Sequence, residues 1–259
     1  MTAARAVVPP ESAGRTAAAQ AYRVLRTILS TAVQDDLLAA NPCQISNAGV
    51  VHHRERTTAN PAEVAQLSAL MPPELAAAVI VAAWSGLRYG EQFALARRHV
   101  DLESGTVRVE RALVCVPGQP IEFGKTKTAK SNRLVHLPGF VVEALRAHLD
   151  QHVAPEPEAL IFSQLGAPVS SLRLSFAFRR ARVVIGRDDL TWHDLRHTGA
   201  TLAYKAGASV PEVQARLGHS TMRAASIYAH SADDSDRVLA DRLDALYAAN
   251  QNAPHLRAV

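Results

Sequence analysis

The sequence predicts a mainly α-helical protein carrying a small antiparallel β-sheet, an α+β class with most of its core in helices. Three observations predict it. Apolar residues recur at spacings of three and four over several long windows. Capping signals open helical segments at Asn60 and Ser209. Strand-like composition is confined to residues 105–138, in short runs separated by polar or Gly/Pro turns. With 259 residues, 48% hydrophobic and 20% charged, the chain is long enough for one or two domains with a real core.

Residues 1–15, "MTAARAVVPPESAGR", mix Pro, Ser, Gly and Arg with small residues and read as a flexible tail. In 16–45 a helical face is spaced by Tyr22, Leu25, Ile28, Leu29, Ala32 and Val33, and Asn41-Pro42 stops it. Residues 46–59, with "HHRERTT", have no period and are read as a cationic linker. One or two helices in front of that linker bury too little to form a core alone.

The principal domain is read over residues 60–250. Asn60-Pro61-Ala62-Glu63 supplies an N-cap, a first-turn proline and a third-position glutamate. "PELAAAVIVAAWSGLR" (73–88) is apolar nearly all round and is a core helix, and "YGEQFALARRHV" is a short one. "GTVRVERALVCV", "PIEF" and "NRLVHLP" form the sheet. Helices then resume at "GFVVEALRAHLDQHV", "SSLRLSFAFRRARVVIG" and "LTWHDLRHTGATLAYKAG", the last ending at Gly207. "SVPEVQARLG" pairs Ser209 with Glu212 in a capping box and stops at Gly218. "TMRAASIYAHS" and "SDRVLADRLDALYAAN" are the last two helices, and 251–259 is a tail. No internal repeat is present.

The formal net charge of +4 favours a polyanionic partner only mildly. Cys43 and Cys115 stand alone, which fits neither a disulfide framework nor a cysteine zinc site and is compatible with a reducing cytosol. Without an apolar run of about 18 residues or a signal-peptide core, a soluble cytoplasmic protein with no membrane partner is expected.

Six residues carry possible chemistry, and each has a bland alternative. Arg88, directly after an apolar helix, either snorkels to solvent or grips an anion. Lys127 lies in a lysine run of a strand turn, and such runs are usually solvated. His193 and Arg196 share one helix face. His219 follows the helix stop at Gly218. Tyr228 sits where an amphipathic helix would bury a tyrosine. His193 and His197 also have the i, i+4 spacing of a zinc helix. However, Asp194 stands where a glutamate base is needed, no third ligand is obvious and Arg196 would repel the ion, so neither metal nor cofactor is expected. An anion site uses all six: arginines bind phosphate oxygens bidentately and offset transition-state charge. Tyrosine supplies a nucleophile, and lysine a proton for the leaving oxygen.

The order and spacing of these segments resemble the catalytic domain of the tyrosine recombinases, the phage-integrase family, over residues 60–235. "SGLRYGE" is similar to that family's first arginine box, "KTAKSNRLVHLP" to its lysine hairpin, and "HDLRHTGAT" to its HxxR box. "LGHS" resembles its second histidine and "SIYAH" its nucleophile. Lys127 fits the hairpin spacing better than Lys125 or Lys130. The resemblance implies that Arg88 and Arg196 clamp the scissile phosphate, Lys127 is the general acid and His193 assists proton transfer. It also implies that His219 bonds a phosphate oxygen and Tyr228 attacks. The expected activity is site-specific recombination of double-stranded DNA through a 3′-phosphotyrosyl intermediate, without metal or ATP, by a homotetramer joined through the C-terminal helix. Residues 16–45 resemble only the end of the family's core-binding domain and are read as its remnant. Two alternatives stay open: a truncated DNA-binding remnant that does not recombine, and a type IB topoisomerase-like relaxase, which the "LGHS" box disfavours.

Overall fold

The computed structural model describes residues 14–50, 57–115, 121–125 and 132–218. The chain divides into two compact units, Met1–Arg56 and Thr57–Val259. No helix among the described residues is long and apolar enough to cross a membrane.

In the first unit, α1 spans Arg15–Gln34. The chain after it turns back along the helix. Asn41 Nδ2 donates to Arg26 O at 2.9 Å and to Ser30 Oγ at 2.7 Å. The Ile45 N–H donates to the Tyr22 hydroxyl at 2.8 Å. Two positions depart from the sequence reading: Leu25 and Ile28, spaced for a buried face, are exposed. Within the described part of this unit the returning segment bonds α1 at Tyr22, Arg26 and Ser30 and, near the helix end, at Ala32.

The second unit is mostly helical. Its first helices are α2 (Pro61–Leu70), α3 (Pro73–Ser85) and the single turn α4 (Tyr89–Gln92). A 3₁₀ turn, Arg97–His99, leads into β1 (Val100–Asp101), β2 (Thr106–Val109), β3 (Arg111–Val114), β4 (Glu122–Lys125) and β5 (Arg133–His136). After α5 (Gly139–His152) come β6 (Ser163–Gln164) and β7 (Ala167–Pro168), then α6 (Ser171–Val184), α7 (Trp192–Lys205) and α8 (Val210–Leu217).

The α+β class is as expected, but the β structure differs in detail. Instead of one sheet, the described strands form three antiparallel sets: β1-β2-β5, β3-β4 and β6-β7. The run "GTVRVERALVCV" breaks at Glu110, whose carboxylate accepts from Arg98 at 2.6 Å and pairs with the His99 ring at 2.9 Å. That side chain is drawn toward the 3₁₀ turn, and β2 and β3 enter different sheets. The segment read as a short helix, "YGEQFALARRHV", is α-helical only over its first turn, before the Phe93 side chain enters the core, and ends in the 3₁₀ turn at Arg97–His99.

Capping signals matter where they fix the ends of site-bearing helices. Asn60 and Glu63 form the reciprocal box that opens α2, and Ser209 with Glu212 does the same for α8. A third box opens α7: Asp194 Oδ2 accepts from the Thr191 N–H at 2.8 Å and from its hydroxyl at 2.6 Å. The Ala59 N–H donates to Thr198 Oγ1 at 3.0 Å, so the start of this unit is pinned to the second turn of α7.

α3 is the centre of the core. Leu75, Ala78, Val79, Val81 and Ala83 are all fully buried, consistent with a helix apolar nearly all round. Phe93 packs between Phe162 and Trp192, with ring centroids 5.7 and 5.8 Å away. α3 and α7 approach closely at two glycines. A Cβ on Gly199 would lie 2.8 Å from Ala83 O and 3.2 Å from Gly86 Cα. Gly86 ends α3 at φ +69°, and a Cβ there would lie 2.3 Å from a methyl of Leu217 on α8.

The backbone at Gly199 leaves no room to relax. Gly199→Ala is therefore expected to destabilise the folded protein by about 1–3 kcal/mol through overpacking. Chemical denaturation measures this, and an unchanged midpoint would refute the close approach.

Candidate active site

The site is organised by the C-terminus of α8. The last carbonyls of a helix lack intrahelical partners, and they lie at the negative end of its dipole. Here three successive ones each receive a different guanidinium. Arg133 Nε donates to Arg216 O at 2.8 Å, Arg196 Nη2 to Leu217 O at 2.8 Å and Arg88 Nη2 to Gly218 O at 3.1 Å. Gly218 takes the left-handed conformation, φ +63°, that terminates the helix.

Each arginine reaches this point from a separate element. Arg88 follows the Gly86 stop of α3 and has extended backbone as the cap of α4. Arg196 stands in the second turn of α7 with its side chain buried, 4% exposed. Its other terminal nitrogen donates to Gly86 O, joining α7 to the end of α3. Arg133 opens β5. A fourth arginine, Arg216 on α8, donates to Trp84 O at 2.7 Å and His136 O at 2.9 Å, so α8 is fastened to α3 and β5 as well. Burial, then repulsion from Arg133, lowers the Arg216 guanidinium below its ordinary value.

One carboxylate balances the cluster. Glu91, 4% exposed in its side chain, accepts from Arg88 Nη1 at 2.7 Å and from the Arg88 N–H at 2.9 Å. It also accepts both terminal nitrogens of Arg133, at 2.9 and 3.2 Å. Burial alone would raise this carboxyl. The hydrogen bond and charge of Arg133, followed by the N–H and charge of Arg88, outweigh it and hold the group below the ordinary glutamate range. Two guanidiniums, those of Arg88 and Arg133, thus share this one carboxylate, while Arg196 stands on the neighbouring carbonyl of the same helix end. Arg88 is the solvent-facing member of the cluster, with a side chain 42% exposed.

Of the residues singled out in the sequence, the structure thus joins Arg88 and Arg196 through adjacent carbonyls. His193 lies on α7 one turn before Arg196 and is exposed. The His197 ring, buried, stands edge-on to the His193 ring at 4.6 Å. Asp194, at the position where a zinc helix would need its base, is taken up by the α7 cap. Lys127, His219 and Tyr228 lie outside the described residues; in sequence, Lys127 follows β4 by two positions and His219 comes directly after Gly218.

Two participants were not singled out from the sequence: Glu91 and Arg216. Arg133 was noted only as part of the lysine hairpin. A signal for Glu91 existed. It stands three residues after Arg88, on the same face of a turn, in a segment otherwise apolar enough to bury it.

A packed helical unit with small antiparallel sheets, holding two arginines on a helix end beside a histidine-bearing helix, defines an α+β protein with a cationic cluster at that helix end. The model described as the phage integrase family matches residues 59–235, and the chain belongs to that family. It is 40% identical over 239 residues to the putative prophage phiRv2 integrase of Mycobacterium tuberculosis, covering 90% of this chain and 63% of that protein. It is 36% identical over 236 residues to the integrase of Mycobacterium phage FRAT1, covering 89% of this chain and 70% of the relative. The chain thus spans under two thirds of the length of the phiRv2 relative. Among solved structures, the Tn1549 transposon integrase in complex with a circular intermediate DNA has the same fold. Its TM-score is 0.73 at 23% identity, over 86% of this chain and 78% of that one. A lambda integrase dimer bound to a COC′ core site aligns at TM-score 0.56 and 21% identity, over 83% of this chain and 59% of that one.

The Glu91 shift has a consequence for acid stability. A carboxyl held below its unfolded value contributes stability that is complete above the unfolded value and is lost as pH falls through the folded one. Wild type is therefore expected to lose thermal stability below the ordinary glutamate range more steeply than Glu91→Gln. Melting temperatures across that window measure it, and parallel curves would refute the assignment.

Proposed function

We propose that this chain is a site-specific tyrosine recombinase that cleaves and rejoins double-stranded DNA through a 3′-phosphotyrosyl intermediate, using neither metal nor ATP. The observation that carries the reading is the mounting of Arg88 and Arg196 on successive carbonyls of one helix end, immediately before His219, in a chain of the phage integrase family. Its relatives are named integrases, and structures of the same fold are described as DNA complexes.

The chemistry follows from the residues. The Tyr228 oxygen attacks the scissile phosphorus and loses its proton with assistance from His193. The bond from phosphorus to the 5′ oxygen breaks, and Lys127 protonates that oxygen. Arg88 and Arg196 bind the non-bridging oxygens and offset the added charge of the pentacoordinate state, with His219 donating to one of them. The phosphotyrosyl ester retains the energy of the broken bond, so a 5′ hydroxyl reverses the sequence to rejoin strands. In this reading residues 60–250 form the catalytic domain, 16–45 a remnant of a core-binding domain and 46–59 the linker.

Assembly is proposed through the C-terminal helix, residues 235–250. In this reading Val238, Leu239, Leu243 and Leu246, spaced in sequence for one helical face, would seat in a cavity of about 680 Å³ lined by Trp84, His136, Leu202, Ala203 and Val213. A helix donated by a second copy would occupy that groove and link protomers into a tetramer.

Wild-type protein incubated with a library of nicked duplexes of randomised core is expected to yield a covalent adduct resistant to detergent. Tyr228→Phe should abolish it, and an equal yield from that variant would remove Tyr228 from the mechanism. Arg196→Lys should lower adduct formation on the order of 100-fold or more with little change in DNA affinity, because an ammonium cannot reproduce the bidentate grip. DNA binding with no adduct from wild type would favour the non-recombining remnant. Deletion of residues 235–259 should leave DNA binding by single protomers while abolishing higher assemblies in sedimentation on DNA; retained tetramers would exclude the exchanged helix.

A further inference from the structure

We propose that Arg133 is a positioning residue of the cleavage reaction: it locks the Arg88 guanidinium to the turn that leads into His219. The inference rests on the recombinase reading above and concerns a residue to which that reading gives no task.

Arg133 is 7% exposed in its side chain, so it acts through its neighbours rather than on a bound phosphate. Its two terminal nitrogens meet both oxygens of Glu91, at 2.9 and 3.2 Å, which fixes the plane of that carboxylate. The same two oxygens hold Arg88, one through Nη1 at 2.7 Å and the other through its backbone N–H at 2.9 Å. The orientation of Arg88 is therefore inherited from Arg133. At its other edge, Nε donates to Arg216 O at 2.8 Å. The guanidinium also lies directly under Gly218, where a Cβ would be 2.8 Å from Nη1. One planar group thus sets both the Arg88 side chain and the backbone from which His219 continues. It also ties them to β5, the strand at the far end of the lysine hairpin. A lysine at 133 keeps one positive charge near Glu91 but cannot span two carboxylate oxygens and a carbonyl together.

The test uses the full chain and a single duplex sequence captured as an adduct by wild type. Arg133→Lys is compared with wild type on that duplex and on a copy bearing a neutral methylphosphonate at the scissile position. The variant is expected to bind both duplexes as tightly as wild type and to form adduct on the phosphodiester on the order of 10- to 100-fold more slowly. Most of that deficit should vanish on the methylphosphonate, which lacks the charge that a well-placed Arg88 offsets. A fold defect would lower both rates alike. Equal deficits on the two duplexes, a fall in affinity and melting temperature that accounts for the loss, or no deficit at all would each overturn the inference. If Arg133→Lys does not fold, Glu91→Gln interrupts the same contact from the other side and is expected to give the same pattern. Combining the two changes should cost no more than the more severe one alone, and additive losses would argue against a shared route. Absence of adduct from wild type on the whole library overturns the recombinase reading itself; adduct from wild type with an equally fast Arg133→Lys overturns only the role of Arg133.

Discussion

The end of α8 is the constraint on which the site depends. A helix that stops inside a protein leaves carbonyl oxygens that must find donors, and this one finds them in three arginines drawn from α7, β5 and the loop before α4. Hydrogen bonds from charged donors contribute roughly 1.5–3 kcal/mol each, and the helix dipole adds to them. The same contacts that satisfy the backbone bring the cations together. Guanidiniums this close repel one another, and the buried Glu91 is the anion that keeps them in place.

The apolar frame explains why this arrangement can be held. α3 runs through the core, and its fully buried residues fix the position at which Gly86 turns the chain toward Arg88. Phe93, seated between Phe162 and Trp192, anchors the other side of α4. Arg88 is thus suspended between two well-packed points rather than carried on a long loop. Arg196 and His193 ride on α7, whose first turn is fixed by its cap and whose second is tied to Ala59. Groups on regular, braced elements need little reorganisation when a ligand arrives.

Much of the fold was legible in the sequence where the signal was local. The boxes at Asn60 and Ser209 opened α2 and α8 as read, Gly218 closed α8, and Gly207 follows the end of α7. His193 and Arg196 lie on the helix read for them, whereas Arg88, read as the last residue of a helix over 73–88, lies past the Gly86 stop as the extended cap of α4. What was not legible depended on partners distant in sequence. The break at Glu110 arises because Arg98 and His99 claim its carboxylate, which alternating composition does not reveal. The β6-β7 hairpin has only two residues per strand, too few to establish a period. In the site, Glu91 and Arg133 are 42 positions apart, and nothing local to either announces the other. Leu25 and Ile28 show the converse case: a clear period without the burial it usually accompanies.

The contact between Gly199 and the end of α3 acts as a mechanical stop. With backbone against backbone, α7 cannot slide one residue along α3 without driving a larger side chain into Ala83 O or Gly86. Nor can it rotate about its own axis without withdrawing Arg196 from Gly86 O and Leu217 O. A displacement of the chain has to be taken up away from this seam, and Arg196 travels with the end of α3 as one rigid piece.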